Sequence, residues 1–162
     1  MSDPAPYASP AVIGHVHLKV ADLDRAIAFY QDVLGFELQQ RYGPSAAFLS
    51  SGGYHHHIGL NIWESAGGPR PAPGTTGLYH VAFLYPDRKA LARAVARVLA
   101  AGIRLEGAAD HGVSEAVYLS DPDGNGIELY RDRDRADWPR AADGSLKIIT
   151  ERLDLRALLA EA

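Results

Sequence analysis

An α+β fold built from two copies of one β-α-β-β-β module is predicted by three observations. Strand-patterned and helix-patterned segments follow the same order twice along the 162 residues. The copies keep a fixed spacing: HVHLKV from His15 aligns over HVAFLY from His80, an offset of 65 residues. Between them lies a glycine- and proline-rich stretch, residues 65–77, stiffened by Pro69, Pro71 and Pro73. A single module cannot close a core around its own apolar faces, so the two must be paired.

In order, residues 1–11 hold Pro4, Pro6 and Pro10 among small residues and read as a mobile arm. Val12 to Val20 is rich in β-branched and apolar residues, a strand. Asp22 caps a helix whose apolar positions Leu23, Ala26, Ile27, Tyr30 and Leu34 recur at helical spacing, with Gly35 where the chain must turn left-handed to leave it. Phe36 to Tyr42, Ala46 to Ser50 and His55 to Trp63 read as three further strands, parted by Gly43-Pro44 and Gly52-Gly53. The second copy starts with a strand over Leu78 to Tyr85. Asp87 caps a helix striped by Leu91, Val95, Val98 and Leu99 and ended by Gly102; strands over Ile103 to Glu106, Ala116 to Leu119 and Ile127 to Tyr130 complete it. The domain is expected over 12–131, with modules 12–64 and 78–131. A carboxy-terminal extension, 132–162, carries Leu153, Leu155, Leu158 and Leu159 near helical spacing, as in a short helix that docks on the domain or across a dimer. The alternating charges of Arg131 to Arg135 read as a solvated stretch.

Composition narrows the function. Sixteen Lys and Arg against twenty Asp and Glu leave a net charge of −4, which opposes a nucleic-acid surface. No apolar run reaches the ~20 residues that span a bilayer, and the amino terminus has neither a basic start nor an apolar signal segment, so a cytoplasmic location is expected. With no cysteine there is no disulfide, thiolate ligand or thiol nucleophile; the seven histidines carry the transition-metal chemistry.

His15 and His80 occupy equivalent places on the first strands of the two modules. On the last strands, Glu128 follows the Asp121-Pro122-Asp123-Gly124 turn and corresponds to Gly59 of the first module, to within about one residue. A pseudo-twofold pairing of modules brings His15, His80, Glu128 and the Gly59 position around one centre. Two neutral imidazoles and one carboxylate form the facial set that holds Fe(II) and leaves positions open; Mn(II), Zn(II) and Ni(II) suit the same donors. Gly59 adds no donor. His17 shares strand parity with His15 and reads as structural.

At these residues the chain resembles the vicinal oxygen chelate superfamily of glyoxalases, bleomycin-resistance proteins and extradiol dioxygenases. The marks are His15-x-x-Leu18 with Asp22-Leu23 and Phe29-Tyr30, then Leu34-Gly35-Phe36, His80-Val81-Ala82-Phe83, and Asp121 through Glu128. The resemblance implies paired modules forming a half-open barrel around a metal site. It is most similar to the catechol-2,3-dioxygenase-like branch, which implies a cytoplasmic, Fe(II)-dependent oxidoreductase of aromatic catabolism, cleaving a catechol-type diol with dioxygen beside its hydroxyls. It further implies that Tyr118, and His111 of the His111-Gly112 loop, hydrogen-bond the substrate, although the interval from His111 to Tyr118 is shorter than the family's usual one. An acid–base histidine is implied at His56 by gap-free matching, or at His57 if strand alternation is counted from an inward Gly59. Single-domain members usually pair as homodimers, so His15 meets His80 and Glu128 of its own chain or of a second copy. Other metal-dependent readings are a glyoxalase-like isomerase, which usually needs a second carboxylate at the Gly59 position, and a thiol transferase. A binding or resistance protein normally lacks the metal ligands.

Overall fold

The computed structural model describes residues 11–162, so the expected arm lies outside the described residues apart from Ala11. Nine strands form two mixed sheets. The first contains β1 (Val16–Lys19), β2 (Glu37–Tyr42), β3 (Ala46–Ser50) and β4 (Ile58–Asn61) in the order β1-β4-β3-β2. The second contains β5 (Val81–Leu84), β6 (Gly107–Asp110), β7 (Ser114–Ser120), β8 (Gly126–Asp132) and β9 (Glu151–Arg152) in the order β5-β8-β7-β6-β9. In each sheet the first strand of the module runs parallel to the last, and the remaining pairings are antiparallel.

Helix α1 (Leu23–Ala28) opens on Asp22, whose carboxylate accepts from the Arg25 N–H at 3.0 Å. It widens into a π-turn over Phe29–Val33 and leaves through Gly35 at φ +85°. Helix α2 (Arg88–Ala100) opens on Asp87, which accepts from the Ala90 N–H at 2.7 Å, and ends before Gly102 at φ +73°. Both carboxylates satisfy backbone donors that a first helical turn leaves without partners. α1 packs on β3 and β4, and α2 on β8. One core joins the modules: Leu18, Leu49 and Ile58 from the first sheet, Leu91, Val95 and Val98 from α2, and Leu129 from the second sheet are all buried. Each such side chain contributes roughly 1.5–3 kcal/mol.

Strand alternation assigns the opposite face. Leu18 and Val20 of β1 and its end are buried, whereas His15, His17 and Lys19 are exposed. Helices cover one face of each sheet, and the other carries the chemistry-bearing residues.

The pairing registers make the repeat stricter than the sequence alignment could. His17 lies opposite Gly59 in the first sheet, and Ala82, 65 residues after His17, lies opposite Glu128 in the second. Gly59 and Glu128 are therefore the same position of the two modules.

Three expectations change. The strand expected over Ile103 to Glu106 lies at Gly107–Asp110 instead. Ile103 and Leu105 pack against the core from an irregular segment, and the small residues that form β6 carry little strand signal until β7 pairs with them. The stretch Arg131 to Arg135 is not simply solvated. Glu115, only 4% exposed, accepts from Arg88 Nε at 2.9 Å, Arg131 Nε at 2.8 Å and Arg133 Nη2 at 3.1 Å. A buried carboxylate needs such partners, and they sit far from it in sequence. Finally, His55 to His57 precede β4 rather than opening it.

The carboxy-terminal extension returns to its own chain. β9 pairs with β6, and α3 (Leu155–Leu159) packs on α2 with Leu158 fully buried. Five residues do not hold a helix alone in water; the buried Leu158 and the Asp154 cap, which accepts from the Ala157 N–H at 2.9 Å, do so here. Among the described residues no helix is long and apolar enough to cross a membrane.

Candidate active site

The turn before β8 sets where Glu128 stands. Asp121 is buried; its Oδ1 accepts from the backbone of Asp123 (2.9 Å) and Asn125 (2.8 Å), and its Oδ2 from Asn125 Nδ2 (2.8 Å) and the Tyr30 hydroxyl (3.0 Å). Tyr30 belongs to the first module, so this bond ties its π-turn to the approach of the second module's last strand. Burial and the adjacent Asp121 charge push the Tyr30 phenol far up, keeping it a donor. Asp123 adds a second tie, accepting from the Ala21 N–H at 3.0 Å and from Arg25 at 2.6 Å. Gly126 permits the close approach of β5. A Cβ there would lie 2.0 Å from the Tyr79 carbonyl oxygen and 3.1 Å from His80 Cβ, so any larger residue displaces His80.

His80 and Glu128 meet. The imidazole Nε2 is 2.9 Å from Oε2, with side chains 30% and 13% exposed. Two donors each about 2.1 Å from one ion, at a right angle, are about 3.0 Å apart. The pair thus has the spacing of adjacent ligands of one metal ion. Behind it, the Tyr118 hydroxyl lies 3.4 Å from Glu128 Oε1 and 2.8 Å from His111 Nε2. Burial first, and then the Glu128 charge, push the Tyr118 phenol up to about 12. A cavity of about 500 Å³ opens beside these groups, lined by Tyr79, His80, Gly107 and Tyr118 among others.

The first sheet carries a different group. The His15 ring stands 4.5 Å from the His56 ring, and Phe48 packs on His56 at 5.0 Å. His55 Nδ1 is 2.7 Å from His56 Nδ1. Burial, and then the neighbouring His15 and other imidazoles, hold His56 below the ordinary histidine range, so the neutral ring is favoured. His57 is held by the preceding strand end: its Nδ1 accepts from the Ser51 N–H at 3.3 Å and lies 3.1 Å from Ser50 Oγ. A cavity of about 540 Å³ runs from His15 and His57 to Phe83 and Leu84 of the second module.

His17 sits over the Gly59 position, where a Cβ would come within 2.8 Å of its ring. Burial, and then His15, hold His17 below its ordinary range as well. The ring occupies the space that a side chain at residue 59 would need. Among the described residues, no group of three or more His, Asp or Glu side chains of one chain is placed to hold a metal ion. The residues singled out in the sequence fall into two sets: His80, Glu128, Tyr118 and His111 on the second sheet, and His15, His56 and His57 on or beside the first. The sequence reading missed the hydrogen bonds of His111 to the extension; their only signal was the left-handed Gly112 of the His111-Gly112 loop.

The fold and the sequence together mark a family. The chain belongs to the Glyoxalase/Bleomycin resistance protein/Dioxygenase superfamily, whose family model matches residues 12–129. Among curated relatives, the chain is 42% identical over 151 residues to a catechol-2,3-dioxygenase of Bacillus subtilis, covering 93% of this chain and 52% of the relative. It is 32% identical over 120 residues to biphenyl-2,3-diol 1,2-dioxygenase 3 of Rhodococcus globerulus, covering 74% of this chain and 63% of that one. The chain thus spans about half to two-thirds of their length. A crystal structure of lactoylglutathione lyase from Agrobacterium tumefaciens matches with a TM-score of 0.60 at 28% identity, covering 76% of this chain and 96% of that one.

Proposed function

We propose that this protein is a metal-dependent extradiol dioxygenase acting on a catechol-type diol, with Fe(II) as the metal and His15, His80 and Glu128 as ligands. The observation that carries the reading is the His80–Glu128 pair, at ligand spacing and backed by Tyr118 and His111. Two relatives support it: the Bacillus subtilis protein is a catechol-2,3-dioxygenase and the Rhodococcus globerulus protein is a biphenyl-2,3-diol 1,2-dioxygenase.

His15 completes the set from a second copy of the module pair, as a homodimer would provide. Each chain exposes both halves, His15 with His56 on one sheet and His80 with Glu128 on the other. Bound at such a site, the metal supplies charge stabilisation and brings the diol and dioxygen together. The chain's own groups do the rest. His56, held neutral beside His15, accepts a proton from a diol hydroxyl and returns it later. Tyr118, whose phenol burial and then Glu128 push up to about 12, keeps its hydroxyl proton for hydrogen bonding at the substrate oxygens near neutral pH. His57 is engaged by Ser50 and Ser51, which favours His56 for the acid–base role. An isomerase with a fourth ligand at residue 59 is disfavoured, because the His17 ring fills that space.

The test is direct. Protein reconstituted anaerobically with Fe(II) converts catechols to yellow ring-opened semialdehydes when air is admitted. Bound iron without product, across simple and substituted catechols, overturns the dioxygenase reading.

A further inference from the structure

The carboxy-terminal extension reaches the candidate site through one imidazole. His111 Nδ1 lies 3.0 Å from the Ile149 carbonyl oxygen and 3.2 Å from Thr150 Oγ1, and the Ile149 N–H donates back to the His111 carbonyl at 3.1 Å. The contact is close by construction. Gly112 has φ +73°, and a Cβ on it would lie 2.7 Å from Pro139 and 3.1 Å from Ile149. The loop is pinned from the other side by Asp110, which accepts from the Gly112 N–H at 2.9 Å. Residues 139–150 therefore form a strap seated on the His111 loop.

A carbonyl oxygen only accepts, so His111 Nδ1 must carry the hydrogen. In the neutral ring Nε2 is then a bare acceptor, and which nitrogen is protonated is set by the partner of the other. Tyr118 has one proton and two acceptors in reach: His111 Nε2 at 2.8 Å and Glu128 Oε1 at 3.4 Å. The shorter contact has good hydrogen-bond geometry and the longer one is marginal. Donated to His111, the proton leaves the tyrosine lone pairs facing the carboxylate and the cavity. A donor between them is what that arrangement favours.

We propose that the strap, through the Ile149 carbonyl, locks the His111 tautomer so that Tyr118 donates to His111 and accepts a hydrogen bond from an un-ionised hydroxyl of the ligand. Ile149 and His111 are positioning residues, and the ligand hydroxyl that meets Tyr118 is the one that keeps its proton when His56 takes the other. The ligand part rests on the diol reading above; the tautomer part does not.

The test uses the full chain, metal-free and uniformly 15N-labelled, with long-range 1H–15N NMR at neutral pH. His111 is expected as a single tautomer, protonated at Nδ1 and bare at Nε2; a protonated Nε2 overturns the proposal. Gly112→Ala, which forces the strap off the loop, is expected to raise the other tautomer at least tenfold. Trp138→Ala, which removes the indole N–H donated to the Arg133 carbonyl at 2.8 Å, is a second way to loosen the strap should the first variant not fold. An unchanged tautomer in a folded variant of either kind removes the strap's role. Finally, His111→Asn can keep an N–H toward Ile149, but its shorter side chain does not carry an acceptor to the Nε2 position that Tyr118 meets, so metal-free protein is expected to bind catechol about tenfold more weakly. Equal dissociation constants for catechol overturn the accepting role. Failure of ring cleavage with an intact Nδ1–H tautomer would instead sink only the dioxygenase reading.

Discussion

The two modules share one ladder geometry and fill it in opposite ways. In the second sheet the first strand offers Ala82, and the facing position on the last strand holds Glu128. In the first sheet the first strand offers the large ring of His17, and the facing position is Gly59. Each ladder rung holds one large side chain, and the modules place it on different strands. A duplicated scaffold can thus carry a carboxylate on one sheet and an imidazole on the other at the same rung without changing its backbone. The charge falls where Tyr118 and His111 support it; the neutral rings of His17 and His56 gather where burial disfavours protonation.

The comparison breaks most visibly at Glu128. Glu128→Ala removes the carboxylate paired with the proposed ligand His80, and stoichiometric metal should be lost by elemental analysis; unchanged metal content would show that Glu128 does not bind it. The next largest effect is expected at the matching rung. Gly59→Ala drives a Cβ into the His17 ring and should cost about 1–3 kcal/mol in urea unfolding. Adding His17→Ala should restore most of the loss, and additive losses would mean that the two positions do not share one space. Tyr30→Phe cuts the tie between the modules by removing the donor to buried Asp121. A loss of about 1–3 kcal/mol is expected, and a change within error would leave the turn before β8 standing on its own bonds.

The smallest expected effect is on acid stability. Burial alone would raise the Asp110 carboxyl, but the Gly112 N–H and Arg133 outweigh it and hold it below the usual carboxylate range. Its folded value is thus lower than its unfolded one, so its stabilisation is complete above the ordinary aspartate range near pH 4 and fades as the pH falls through the depressed value. Asp110→Asn should flatten the stability curve over that acid window, with the loss of stability largest at neutral pH and vanishing toward the acid end. An identical slope in both proteins would exclude Asp110 as a contributor.

The helix ends and the repeat were legible along the chain, because their determinants are local or repeated. Asp22 and Asp87 cap helices within one turn of themselves, and Gly35 and Gly102 end them at positive φ. The 65-residue offset put His15 over His80 without any structure. What stayed hidden depends on partners distant in sequence. Glu115 is silent until Arg88, Arg131 and Arg133 converge on it. β6 has no strand composition of its own and exists because β7 and β9 flank it.

The sequence by itself determined the duplicated α+β plan, the helix boundaries and which residues have metal-ligating chemistry, since periodicity, caps and turns act over a few residues. Only the tertiary structure decided how those residues are grouped. Sheet register put Glu128 and Gly59 on the same rung, and packing seated His17 in the vacant space. The carboxy-terminal strap reached His111 from 38 residues away. Contacts of that range follow from the closing of one shared core, and no local pattern encodes them.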